Sequence, residues 1–224
     1  MKCKSCEGAC IKFGMYRNGD QRFRCKSCHR CQKEVYVYLG CEQGIEKDIE
    51  KLTNESCSIR SISRILKVST TKVIKTIREL WKSYKREKRV ILFGREYELD
   101  EMRTFVGNKQ KKYWIVYAID RATKEVVDFK VGKRNNRTLK RVVDTLLLAK
   151  AKKIYTDGLK SYKTLIPESI HKVGKYKINK IERNNLSVRT HLKRLSRKTI
   201  CFSKSVSMLE ATLGLYFMKP GSAY

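Results

Sequence analysis

Acidic side chains are scarce in this chain of 224 residues: 22 Asp and Glu stand against 52 Lys and Arg, a formal net charge of +30. That shortage excludes a charge-balanced surface and makes a polyanion, most simply nucleic acid, the expected partner. Proline is nearly missing, with two residues, and there is no low-complexity tract or internal repeat. No apolar run approaches the roughly 18–20 residues needed to span a bilayer, so no membrane partner is expected. The opening "MKCKSCEGAC" lacks the apolar core of a signal peptide. The expected location is therefore cytoplasmic, with the nine cysteines reduced or bound to metal rather than paired. The length, with 41% hydrophobic residues, suffices for one full domain and one or two small modules.

Six of the nine cysteines lie in the first 31 residues. "CKSC" holds Cys3 and Cys6, and the same tetrapeptide returns at Cys25 and Cys28. Each C-x2-C pair offers two thiolates to one ion, and two such knuckles complete a tetrahedral site with Zn–S bonds near about 2.3 Å. The stretch between them reads as a hairpin turning at "RNGD". A piece of about forty residues builds little core, so Zn²⁺ is expected to supply much of its folding energy. Cys10, Cys31 and His29 lie near enough to compete as ligands. The first expected domain is thus a zinc ribbon over residues 1–41.

Residues 42–81 carry three helical stripes: Ile45, Ile49 and Leu52; Ile59, Ile62 and Leu66; then Val73, Ile77 and Leu80 behind a Ser69 N-cap. Two helices joined by the tight turn "KVS" are what a helix-turn-helix requires. Its recognition helix would present Thr71, Lys72, Lys75 and Thr76 to a DNA groove. An ordinary three-helix packing unit would show the same stripes. Residues 82–92 read as a basic linker.

Beyond it, residues 93–224 alternate strand and helix patterns. Three antiparallel strands, a helix over "NNRTLKRVVDTLLLAKA", a short buried strand ending at Asp157 and further helices imply an α/β layer with a mixed sheet. Acids are again rare. Between Lys130 and Ile200 there are four, Asp144, Asp157, Glu168 and Glu182, among 21 Lys or Arg. Asp157 stands at a strand's C-terminal end, where α/β sheets place ligand chemistry. At about 100° per residue, Ile181, Val188, Leu192 and Leu195 share one helix face. Glu182 falls beside that face, in a row with Arg189 and Lys193. Asp100, Asp157 and Glu182 are oxygen donors suited to Mg²⁺, and paired ions are the standard device for in-line attack on a phosphodiester. Taken singly, each acid is more often a surface or ion-pair residue; as a set of three, the metal reading stands level with that one.

Nearly the whole chain resembles the transposases of the insertion-sequence-one type, a bacterial DDE transposase family. The resemblance is carried by the four-cysteine knuckles, the helix-turn-helix, "LDEMRTFVG", "YAIDRATKEVV", "TDG", the "IERNNL" block and "CFSKS". It implies a ribonuclease-H-like catalytic domain whose DDE triad matches Asp100, Asp157 and Glu182, with Mg²⁺ or Mn²⁺ as cofactor. His171 matches a histidine that precedes the glutamate and is expected to assist at the active site. The family cuts the ends of its mobile element and joins the freed 3′-hydroxyls to target DNA. Its N-terminal module recognises the terminal inverted repeats.

The fold expected overall is therefore α+β and multidomain: zinc ribbon, helix-turn-helix, and a C-terminal ribonuclease-H-like domain. The expected partners are double-stranded DNA, both element ends and target, and further copies of the chain in a synaptic complex at the bacterial nucleoid. Arg189, Lys193 and Arg197 are expected to grip phosphate near the active site. Two departures stand beside that site: Arg103 and Leu159 occupy positions where the family often has Trp. The rival readings are a zinc-ribbon and helix-turn-helix regulator without catalysis, a structural RNA-binding protein, and a nuclease of the same fold that cannot join strands.

Overall fold

The computed structural model describes residues 1–34, 39–42, 44–86 and 93–217. It divides into two compact units, Met1–Glu42 and Gln43–Tyr224.

The first unit is a three-stranded antiparallel sheet of β1 (Cys10–Met15), β2 (Gln21–Cys25) and β3 (Cys31–Gln32). The hairpin turns where the sequence places it. Tyr16 and Asp20 close it through an N–H···O bond of 2.9 Å, and Gly19 supplies the left-handed φ of 83°. Strand β1 is almost wholly exposed.

The second unit begins with three helices, α1 (Ile45–Asn54), α2 (Ile59–Ile65) and α3 (Thr70–Arg86). The expected stripes form their contact faces, with Ile49, Ile62, Val73 and Ile77 buried. Ser58 caps α2 by accepting from the Ser61 N–H, and Ser69 accepts from the Lys72 N–H at 3.1 Å at the head of α3. Helix α3 continues through Arg86, so the first five residues of the expected linker are helical; residues 87–92 lie outside the described residues.

A five-stranded mixed sheet follows: β4 (Glu96–Val106), β5 (Asn108–Asp120), β6 (Val126–Gly132), β7 (Lys153–Thr156) and β8 (His171–Val173). Its spatial order is β6-β5-β4-β7-β8. The first three strands form an antiparallel meander, and β7 and β8 add in parallel beside β4. Side-chain alternation gives the sheet two dressed faces. Leu99, Val116, Ala118 and Ile154 pack under α4 (Asn136–Leu148) and α5 (Lys160–Leu165). Met102, Ile115, Tyr117 and Ile119 pack under α6 (Asn179–His191) and α7 (Val206–Phe217). The four residues of the stripe expected on one helix are all buried, Ile181 and Val188 on α6 and Leu192 and Leu195 past its end at His191. Sequence periodicity misses β8, which is three residues long, and α5, which is six.

Helix α7 is mostly apolar because nine of its twelve residues are buried. It packs between the sheet and the three-helix segment, and Trp81 of α3 joins the same core as Phe129, 5.6 Å away between ring centroids. The helices of residues 45–86 and the mixed sheet are thus packed within one unit. Gly214 permits that contact: a Cβ there would lie 2.1 Å from the Trp81 ring. Gly214→Ala is therefore expected to destabilise this unit by about 1–3 kcal/mol through overpacking. Thermal denaturation of the variant, with no loss of Tm, would refute this packing. Among the described residues no helix is long and apolar enough to cross a membrane.

Candidate active site and metal centre

Strands β4 and β7 run in parallel, with Glu98 opposite Tyr155. Two residues further along each strand, the same register sets Asp100 level with Asp157. Carboxylate oxygens of Asp100, Glu101 and Asp157 lie within 4.8 Å of one another. The three are held differently. Asp100 Oδ2 accepts from Asn185 Nδ2 of α6 at 2.7 Å, and Asn185 Oδ1 accepts from the buried Tyr117 hydroxyl at 2.8 Å. Burial pushes the Asp100 carboxyl up to about 6; the Glu101 backbone N–H and the Asn185 amide pull it down, while the Glu101 and Asp157 charges push it up. Asp157 Oδ1 accepts from the Leu159 N–H at 3.0 Å, which ties the strand end to the start of α5. This contact is made by the backbone, so Leu in place of the family's Trp leaves it intact.

Glu101 points to the opposite sheet face and has both oxygens engaged. Arg134 donates to Oε1 at 2.8–2.9 Å, and the buried Tyr162 hydroxyl donates to Oε2 at 2.7 Å. Each carboxylate oxygen has a second lone pair, so Asp100 and Asp157, in the number that Mg²⁺ takes from protein, could hold a cation with Glu101 beside them.

Glu182 stands outside this group. It lies in the first turn of α6 and is exposed. Asn185, three residues on, is about 60° away around the helix and touches Asp100. Helix α6 is therefore docked at the site, with Glu182 on its solvent side.

His171 sits on β8 and does not join the carboxylates. Its Nε2 lies 2.7 Å from Thr156 Oγ1, whose own proton is directed to the Asp157 carbonyl at 2.9 Å. Burial, then the Lys163 charge, lowers its pKa.

The expected DNA contacts divide. Thr71 and Lys75 are exposed, Lys75 3.8 Å from Glu79. Lys72 Nζ is paired with Glu46 at 3.1 Å. The expectation for Thr76 is corrected: it is 1% exposed, because three residues separate it from Val73 and it turns toward the same core face. Lys193 and Arg197 are exposed. Helix α6 ends at His191, so Lys193 lies past its end and is not in a helical row with Glu182. Arg189 donates from its guanidinium to the carbonyls of Leu195 at 2.9 Å and Arg103 at 3.4 Å, tying the end of α6 to β4.

In the first unit the Cys3, Cys6, Cys25 and Cys28 sulfurs also lie within 4.8 Å of one another. Cys3 and Cys28 are 3.6 Å apart, and Cys6 and Cys25 are 3.5 Å apart. A tetrahedral zinc site has sulfur–sulfur edges near about 3.8 Å; a disulfide holds them near about 2 Å. The two knuckles repeat one local geometry. Ser5 and Ser27 N–H groups each donate to the first sulfur of their knuckle at 3.4 Å. Glu7 and His29, each just past the second cysteine, take left-handed φ values of 58° and 56°. Backbone bonds, that from the Cys28 N–H first, bring Cys25 down to about 6. For Cys6 the backbone bond at Gly8 pulls down, but the Cys28 and Cys25 sulfurs push the thiol up to about 12. Four sulfurs this close could hold a cation. Cys10, Cys31 and His29 are not in the group, and Cys10 instead accepts from Gln32 Nε2 at 3.4 Å.

Sequence reasoning missed Asn185, Tyr117 and Glu98. Asn185 sits in the "IERNNL" block, one helical turn after Glu182, and that spacing was the available signal.

Comparison with known proteins locates the chain. A family model described as IS1 transposase matches residues 90–221, more than half of the chain. The insertion element iso-IS1n protein InsB of Shigella dysenteriae is 38% identical over 122 residues, covering 54% of this chain and 93% of that protein. The IS1 2 protein InsB of Escherichia coli strain K12 is 38% identical over 119 residues, covering 53% of this chain and 71% of that one. Among solved structures, the HTLV-2 integrase catalytic core domain in complex with magnesium is 14% identical, with a TM-score of 0.38, covering 60% of this chain and 95% of that chain. By the match across its sheet and C-terminal helices, this chain belongs to the IS1 transposase family.

Proposed function

We propose that the chain is a DNA transposase that binds the terminal inverted repeats of its element, cleaves the element ends and joins the 3′-hydroxyls to target DNA. The observation that carries this reading is the pair Asp100 and Asp157, level on adjacent parallel strands, with α6 docked on Asp100. The strand order, an antiparallel meander extended by parallel strands, supports a ribonuclease-H-like catalytic domain over residues 93–224. Mg²⁺ or Mn²⁺ held there would activate the attacking water or 3′-hydroxyl and stabilise the leaving oxygen. Asp100 and Asp157 would hold the cations, Asn185 fixes the orientation of the Asp100 carboxylate, and Glu182 would complete the set when DNA covers the first turn of α6. His171 holds Thr156 and so the backbone of Asp157.

The four-cysteine unit acts as a zinc ribbon, and residues 42–81 as a helix-turn-helix. Thr71, Lys72 and Lys75 face the element end, and Lys193 and Arg197 face phosphate. Lys72 exchanges Glu46 for a phosphate when DNA arrives. Two element ends held together require at least two copies of the chain, acting at the nucleoid in the cytoplasm.

The test is Mg²⁺-dependent cleavage and strand transfer on DNA carrying the element's ends, with Glu182→Gln and Glu101→Gln beside the wild type. Glu182→Gln is expected to bind ends normally and to lose about 10³-fold or more in rate. Glu101→Gln is expected to lose far less. Full activity in Glu182→Gln with loss in Glu101→Gln would reassign the third carboxylate. Wild-type end binding without any cleavage would leave a regulator.

A further inference from the structure

Two residues before Asp100, on the same face of β4, stands a carboxylate with no part in the reading above. Glu98 is 0% exposed. Its Oε2 accepts from the Ile181 N–H at 2.9 Å, and its Oε1 accepts from Arg121 Nε at 3.1 Å. Arg121 is itself fixed, its guanidinium 4.0 Å from the centroid of the Tyr155 ring.

Helix α6 explains why the carboxylate is there. Its N-cap is Ile178, which makes no side-chain cap bond. The first-turn N–H groups of a helix need partners from elsewhere, and the positive end of the helix favours an anion. Glu98 supplies both from the neighbouring strand.

The same bond sets a register. From Glu98 to Asp100 a strand advances about 6.8 Å. From Ile181 to Asn185 a helix advances about 6 Å. The two rises nearly match, so fixing Ile181 on Glu98 brings Asn185 onto Asp100. Tyr117 bridges both levels, its hydroxyl 3.3 Å from the Ile181 carbonyl and 2.8 Å from Asn185 Oδ1. Arg189, four residues further along α6, makes the next contact, to the Arg103 carbonyl. Glu182 is bonded to Ile181 by the peptide link, so its position follows from this register.

We infer that Glu98 is a positioning residue for the reaction: it fixes the first turn of α6 against β4 and thereby places Glu182 and, through Asn185, Asp100. The inference rests on the reading of Asp100, Asp157 and Glu182 as the reacting set. Displacement of a catalytic group by about 1 Å is enough to cost roughly 10²-fold in rate.

The experiment compares Glu98→Ala, Glu98→Gln and Glu96→Gln with the wild type in the full chain. Glu96 also pairs with Arg121, at 3.7 Å, so Glu96→Gln loses part of the Arg121 pairing without touching α6. Amide exchange is read over residues 179–185, and kcat and KM are read for end cleavage. Glu98→Ala is expected to speed exchange there by about tenfold or more and to lower kcat by about 10–100-fold at unchanged KM. Glu98→Gln keeps an oxygen for the Ile181 N–H and is expected to fall between Ala and wild type. It also carries the test if the Ala variant does not fold. Glu96→Gln is expected to change neither quantity. Unchanged exchange in both Glu98 variants overturns the inference, as does an equal loss of kcat in Glu96→Gln. Exchange needs no turnover, so an inactive wild type would refute the transposase reading while exchange still decided the placement of α6.

Discussion

Asp100→Asn is expected to abolish end cleavage, by about 10³-fold or more, while making the magnesium-free protein more stable. Both effects have one cause. The carboxylate is held in a buried place beside two other acids, which raises its pKa from the ordinary 3.8 to about 6. The folded chain therefore binds that proton more tightly than the unfolded chain does. Stability from this group is present in full below about pH 3.8 and is lost as pH rises through about 6. At neutral pH the ionised group opposes folding, by about 1–3 kcal/mol. Asparagine removes the charge and still offers an oxygen to Asn185. For a unit of this size that gain raises Tm by about 2–4 °C per kcal/mol. Melts of wild type and variant without divalent magnesium should therefore separate at pH 7.5 and converge at pH 4. A variant that melts below the wild type at pH 7.5 would show that the acids here are not in conflict.

Much of this arrangement is legible in the sequence because it depends on local periodicity. The stripes of α1 to α3, the three antiparallel strands, and the buried Ile181 and Val188 of α6 all follow from side chains repeating at helical or strand spacing. The C-x2-C pairs are legible for a similar reason, since two residues are what a metal knuckle needs between its ligands. What periodicity does not carry is register between distant elements. Asn185 reaches Asp100 across 85 positions, and Ile181 reaches Glu98 across 83. Those pairings exist only once α6 lies on β4. Thr76 and Arg189 show the other limit. Each has the chemistry of a DNA contact, and each is committed elsewhere by packing or by carbonyls that the sequence does not place nearby. Glu101 is the converse case, an acid in the cluster whose partners, Arg134 and Tyr162, come from outside strands β4 and β7.

Removing metal from the N-terminal unit is expected to unfold residues 1–42 and leave the melting of the larger unit unchanged. Among its described residues, leaving glycine aside, the buried set is Cys3, Phe23, Cys25 and Gln32. Two of those four are the proposed ligands, and Phe23 alone is a sizeable apolar side chain. Ile11, Phe13 and Met15 are exposed, at 46%, 38% and 68%. Burial of one aromatic ring contributes about 1.5–3 kcal/mol, well short of the ordering entropy of some forty residues. Structural zinc contributes about 10–16 kcal/mol in comparable small sites. Zinc bound there would therefore decide whether this sheet exists. Purified chain should hold one zinc, and Cys25→Ser should hold none and lose amide protection across residues 9–32. Cys10→Ser and Cys31→Ser should keep both, because neither sulfur lies in the four-sulfur group. Element-end binding should fall with the ribbon if that unit touches DNA, whereas the tertiary structure around Asp100 should persist. A fully protected sheet in metal-free protein would overturn the zinc assignment, since the buried side chains of this unit are too few to hold it together by themselves.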